Sequence, residues 1–385
     1  MALGRNVALL AFASFLADVS GEMLMAVFPF LLVAQGATGL GLGLAGGAAD
    51  AVGHLVKPFA GAVADRTRRR KPLIVAGYLA AALARVGIAL ASFWAFSALF
   101  RAADRVGKGL RTAPRDALLA ESAPAAQRGR AFGLHRAADT AGAVVGVLAA
   151  LAGLAWLGAS PQAIVLAGAA FGILTLVPLL LVREADAVPG EATRVAEPAS
   201  PRYRLFLLVA GVFALGQVSY VFYLVRAADA AGGETAAVAL YLLFNVAYLL
   251  VAYPAGARGD AVGRPRVLVA GYVLFAASAA ALLLWPTLPG AVAAFALLGA
   301  GFGMVDGVQR AYAADLAGGA ARSTRLGVYH ATTGLCTVAG GLAAGLLWDR
   351  VSPEATFAWG AVVPLAALGL LVGLGFTRAA YAPRS

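Results

Sequence analysis

The chain encodes an all-α membrane protein, with twelve transmembrane helices in two pseudo-symmetric six-helix bundles. Three observations predict this. Of 385 residues, 61% are hydrophobic and only 13% are charged, whereas a soluble protein carries about 25% charged residues; the mean hydropathy is +0.83. Apolar stretches of about 20–28 residues, each able to cross ~30 Å of hydrocarbon, recur along the whole chain. The second half also repeats the first at an offset of 194–195 residues.

The expected spans are 6–34, 39–64, 72–92, 94–120, 129–156 and 161–182 in the first half. In the second half they are 203–227, 235–257, 266–286, 288–315, 325–348 and 354–377. Span 1 is apolar throughout except for Asp18 and Glu22, one helical turn apart. Its length and these two acids argue against a cleavable signal peptide. Span 2 places Asp50, His54 and Lys57 on one face by their i, i+4, i+7 spacing. Span 4 is the most charged: Arg101, Arg105, Lys108, Arg111 and Arg115 follow at helical spacing, with Asp104 beside them. Span 5 carries His135, Arg136 and Asp139. Residues 184–202, with Pro189, Gly190, Pro198 and Pro201, form a polar linker. The domains are therefore a first bundle over 1–183, a cytoplasmic linker over 184–202 and a second bundle over 203–385.

Loop charge sets the orientation. With the N-terminus inside, 21 Lys and Arg residues fall on the cytoplasmic side and only Arg350 on the external side. Both termini are thus expected in the cytoplasm of a multi-pass plasma-membrane protein. The net charge of +11 is spread over seven loops and tails, which argues against nucleic acid as a partner. Cys336 is the sole cysteine, so no disulfide forms within one chain.

The repeat carries a motif. Gly61-Ala-Val-Ala-Asp65-Arg66 runs on to Arg70 and Pro72, and its weaker copy is Gly256-Ala-Arg-Gly-Asp260 with Arg264. Phe132-Gly133-Leu134-His135 matches Leu326-Gly327-Val328-Tyr329 at the same offset. Glycine allows close helix approach in a membrane, and an acid at a helix end accepts from exposed backbone donors or an arginine. Six-helix halves related as parallel repeats occur in one transporter superfamily. With its linker and both motif copies, the chain resembles the major facilitator superfamily over its whole length. In the first copy Thr67 replaces the usual glycine. Val147 follows Gly142-x-x-x-Gly146 where the antiporter motif ends in Gly-Pro. The resemblance implies alternating access, a solute held between the halves, and a cytoplasmic gate built from Gly61, Asp65, Arg66, Arg70, Gly256, Asp260 and Arg264. The partner of Asp65 is expected near Arg322–Leu326.

A charge facing lipid costs at least ~2.5–3.5 kcal/mol, so the buried charges need a purpose. A carboxylate held among apolar groups takes up a proton more readily, as a proton carrier must. On this reasoning Asp18, Glu22, Asp50 and Asp104 are the expected proton-coupling acids. The expected solute contacts are Arg101, Arg105, His54 and Arg136 in the first half. In the second half they are Tyr220, Tyr223, Asn245, Gln309, Arg310 and Tyr329. The cationic stripe favours an anionic or zwitterionic organic solute, moved by a monomeric, proton-coupled secondary transporter with export as the favoured direction. Two alternatives are a divalent metal or metal-chelate carrier using Asp18, Glu22, Asp50 and His54, and a non-transporting scaffold or sensor. The scattered histidines do not outline a metal site. No nucleophile–base pair or cofactor motif supports an enzyme.

Overall fold

The computed structural model describes residues 4–67, 70–123, 128–184, 200–317 and 322–377, and among these the regular structure is helical. In order the helices are α1 (Arg5–Ala34), α2 (Gly39–Thr67), α3 (Lys71–Leu90), α4 (Trp94–Glu121), α5 (Arg128–Leu157), α6 (Pro161–Leu174) and α7 (Leu176–Leu181), followed by α8 (Pro201–Gly216), α9 (Tyr220–Ala231), α10 (Glu234–Val262), α11 (Arg264–Leu284), α12 (Leu288–Ala317), α13 (Arg322–Arg350) and α14 (Pro353–Gly373). Helices α6 and α7 share the sixth expected span, and α8 and α9 share the seventh. Fourteen helices therefore make twelve crossings.

Those two spans correct the expectation of unbroken helices. Pro178 lacks an N–H, and its ring opposes the carbonyl of Leu174; α6 stops there and α7 resumes at Leu176. The Thr175 hydroxyl donates to the Gly172 carbonyl at 2.5 Å. In the seventh span the chain leaves the helix at Gln217 and re-enters at Tyr220. The Trp359 indole donates to the Leu215 carbonyl at 2.8 Å, and the Ser219 hydroxyl accepts from the Val221 N–H at 3.4 Å. Non-helical backbone at membrane depth must find partners inside the protein, and these groups supply them.

Ten helical stretches among the described residues are long and apolar enough to cross a membrane. Helices α2 and α4 are not among them, α4 because of its own charges. Leu83, Leu90, Trp156, Leu157, Leu180, Leu250 and Leu284 are all more than half exposed. Exposed apolar surface on this scale suits lipid rather than water.

Contacts divide the chain into two compact units. One comprises Met1–Ala37 with Ala48–Glu191, the other Thr38–Gly47 with Ala192–Ser385. The start of α2 thus groups with the second unit, where both carboxylate oxygens of Asp349 accept from Gly39 N–H at 2.6 Å and Leu40 N–H at 2.8 Å. An acid there complements the positive end of the helix. Most of the expected linker over 184–202 lies outside the described residues.

In the first unit the decisive approach is between α3 and α4. A Cβ on Gly77 would sit 2.6 Å from the Gly107 carbonyl oxygen, and one on Gly107 equally close to the Gly77 carbonyl oxygen. Two bare backbones in contact bring the polar groups of α3 and α4 within reach of one another. A cluster of Val7, Leu10, Ala17, Ile74, Tyr78, Leu118 and Leu179 closes one end of this unit. In the second unit, Phe213 stacks on Tyr272 at 4.0 Å between centroids. Tyr223 meets Phe295 and Phe357 edge-on.

Candidate functional site

The polar centre of the first unit is Asp104, 1% exposed. Its Oδ1 accepts from Arg85 Nε at 3.0 Å and lies 2.9 Å from Arg85 Nη2. Its Oδ2 accepts from Arg101 Nη1 at 2.9 Å. Arg85 also donates to the Ser20 hydroxyl, which itself donates to the Gly168 carbonyl. Arg101 sits 5.6 Å from the Phe28 ring centroid and donates to the Met25 sulfur. Two guanidinium groups and one carboxylate, all buried, thus join α1, α3, α4 and α6.

Arg85 was not among the residues singled out from the sequence. A lone arginine inside the apolar run LAAALARVGIAL is the signal that marks it, because an intramembrane charge needs a partner.

The five cations of α4 share a helix face but not one environment. Arg101 and Arg111 are buried, Arg105 and Arg115 half-buried, and Lys108 exposed. The Arg111 guanidinium stacks 3.9 Å over the Tyr78 ring, a cation–π contact. Arg115 pairs with Asp116 at 2.9 Å and donates to the Ser14 hydroxyl at 3.3 Å. Arg105 reaches Met25 Sδ at 3.5 Å.

Asp18 on α1 lies in the field of Lys108, Arg111 and Arg115 from α4 and of Asp139 from α5. Asp139 stands 3.4 Å from His135 Nδ1. Glu22, a turn along α1, packs its Cβ against Gly146 of α5. Arg136 is exposed on α5. The side chains of Asp50, His54, Gly61, Asp65 and Arg66 lie outside the described residues. Arg70 pairs with Glu121, and its backbone N–H donates to Glu184, which also accepts from Lys71 N–H at 3.0 Å. Arg70 therefore ties α3 to the end of α4.

In the second unit the expected solute contacts separate into packed and open groups. Tyr223 is 2% exposed, and its hydroxyl meets Ser278 at 2.9 Å. Its ring is packed by Phe295 and Phe357. Gln309 is also committed: its Oε1 accepts from the Tyr272 hydroxyl at 2.7 Å, and its Nε2 donates to the Tyr329 hydroxyl at 3.0 Å. Asn245 donates to the Tyr241 carbonyl at 3.0 Å, and Tyr220 packs beside Tyr241 at 5.7 Å. Asp306 holds Arg310 at 2.6 Å and the Tyr248 hydroxyl at 3.2 Å. In the second motif copy Arg264 pairs with Asp260 at 3.0 Å and with Asp315 of α12; Gly256 leaves open space where a Cβ would stand.

A polytopic helical membrane protein organised around a buried ionic centre is the class these observations define. The Major Facilitator Superfamily model matches residues 10–239 and 205–384. An uncharacterized MFS-type transporter of Methanocaldococcus jannaschii is 35% identical over 379 residues, covering 96% of this chain and 94% of the relative. The chain belongs to the major facilitator superfamily of membrane transporters. Its fold is similar to that of a mutant of the nucleoside transporter NupG, with a TM-score of 0.77, 15% identity and coverage of 97% of this chain and 98% of that one. A mutant of the peptide transporter POT matches with a TM-score of 0.75, 16% identity and coverage of 96% and 93%.

Proposed function

We propose that this chain is a proton-coupled secondary transporter that moves an anionic or zwitterionic small organic solute across the plasma membrane by alternating access, with both termini cytoplasmic. The reading rests on Asp18 of α1, which lies in the field of Lys108, Arg111 and Arg115 of α4 and of Asp139 of α5. Arginine keeps its charge at any accessible pH, whereas a carboxylate does not. Protonating Asp18 removes one negative charge from among the α4 cations and raises the positive field of the stripe from which Arg105 faces an anion. Solute and proton are then linked through the same cations, which is the requirement for coupled transport.

Asp104 has a different part in this scheme. Both of its oxygens are held by guanidinium groups, so it acts as the fixed counter-ion of Arg85 and Arg101. Proton carriage rests with Asp18 and Glu22, joined by Asp50. The solute contacts proposed are Arg105, His54 and Arg136 with Tyr220, Asn245, Arg310 and Tyr329. Tyr329 also holds Gln309 in place. Export is the direction proposed, because many members of the superfamily export their solutes.

The test begins with a thermal-shift screen of anionic, zwitterionic and cationic solutes on the purified protein. The best ligand is then loaded into proteoliposomes under an imposed pH gradient. Transport driven by the gradient supports the proposal. A best ligand that is a simple cation, or transport indifferent to the gradient, contradicts it.

A further inference from the structure

Helices α10 and α11 each pack closely along α12 and more loosely on each other. A groove of about 560 Å³ opens between them, within the ~300–1,000 Å³ typical of ligand pockets. Its walls are Leu250, Val251, Pro254, Ala255 and Val262 from α10 and Val267 and Ala270 from α11, with Met304 of α12 as the floor. Two cations, Arg258 and Arg266, complete the lining. They stand at one end because Gly263, at φ +94, turns the chain sharply from α10 into α11; few side chains adopt that backbone conformation.

Polarity along the groove is segregated. Arg258 and Arg266 are exposed at the turn, and Arg266 Nη1 donates to the Val262 carbonyl at 3.0 Å, fixing it at the end of α10. From Arg258 to Leu250 is eight residues, or ~12 Å of helix, and that stretch of wall is apolar. One leaflet's share of a ~30 Å hydrocarbon core is of similar depth. Leu250 is 67% exposed, so the apolar end opens on the surface assigned above to lipid.

We infer that this groove binds one anionic phospholipid, its phosphate on Arg258 and Arg266 and an acyl chain along Leu250, Pro254 and Ala270. The complementarity is twofold. Paired guanidinium groups hold a phosphate with several charge-assisted hydrogen bonds, and basic pockets between membrane helices suit acidic headgroups. Neither arginine belongs to the proposed transport site, so the inference stands apart from that reading. The bound lipid would brace α10 against α11 beside the Asp260–Arg264–Asp315 cluster.

The experiment is native mass spectrometry of the full chain released from nanodiscs of equal parts phosphatidylglycerol and phosphatidylcholine. The wild type is expected to retain phosphatidylglycerol at least fivefold over phosphatidylcholine, as a single adduct. The Arg258→Gln, Arg266→Gln double variant should fall to parity while keeping its melting temperature in phosphatidylcholine alone. Ala270→Trp, which fills the groove and leaves the arginines, should weaken retention of both lipids. Inorganic phosphate at millimolar concentration should leave the adduct in place. Parity in the wild type, full selectivity in the double variant, displacement by inorganic phosphate, or two protein copies in place of a lipid adduct would each overturn the inference.

Discussion

Arg85 on α3 closes on Asp104 on α4 with two nitrogens, Nε at 3.0 Å and Nη2 at 2.9 Å, both on the same carboxylate oxygen. Each residue is at least 95% buried. The pair exists because Gly77 and Gly107 let the two helices touch backbone to backbone. Asp104 is shared with Arg101, so removing the carboxylate strands two buried guanidinium groups.

Asp104→Leu is therefore expected to destabilise the first unit by ~3–5 kcal/mol, the usual cost of an uncompensated buried charge. It should appear as a large drop in melting temperature in detergent. The double variant Arg85→Met, Asp104→Leu should recover part of that loss, because it removes one of the two stranded guanidinium groups. If the two single losses simply add, the pair is not coupled.

Arg101 and Arg105 should separate stability from affinity. Arg101 clasps Asp104 and lies over Phe28, so Arg101→Lys should lower the melting temperature. Arg105 is half-buried and proposed to hold the solute, so Arg105→Lys should keep folding but weaken binding ~10-fold, about 1.4 kcal/mol, through loss of bidentate geometry. Affinity from calorimetry beside a melting curve checks both; equal affinity for Lys and Arg at 105 would make that cation structural.

In the second unit, Tyr223→Phe removes one hydrogen bond to Ser278 and is expected to cost ~1 kcal/mol of stability with KM unchanged. Gln309→Leu should cost ~1–3 kcal/mol by leaving two buried tyrosine hydroxyls without their partner. Tyr220→Ala, at a half-buried position on α9, should instead raise KM at near-constant melting temperature. Initial-rate transport and melting curves on the three variants distinguish packing from contact.

These residues also mark what was legible beforehand. The crossings other than α4 could be read from the apolar runs, and α4 only from its flanks, since its own charges hide it. Asp104 could be read as lying beside the α4 cations, and its pairing with Arg101 is an i, i+3 contact within that stretch. Arg85 could not be read this way, because its partner is 19 positions away and only the approach of Gly77 to Gly107 joins them. Tyr220 and Tyr223 stand together among the expected solute contacts. Helical spacing does not say which of them meets the core, and it is Tyr223 that does. The groove between α10 and α11 depends on how loosely two helices pack, which no sequence period records.

The central claim is that Asp18 carries the proton that governs the α4 cations. It is tested most directly by counterflow-free uptake into proteoliposomes, using the best ligand from the thermal-shift screen, with and without a pH gradient. The comparison is between the wild type and Asp18→Asn at matched protein incorporation. The account predicts that the gradient accelerates the wild type at least tenfold and leaves Asp18→Asn unaffected, with the variant still binding the ligand. A variant that responds to the gradient as the wild type does would contradict it.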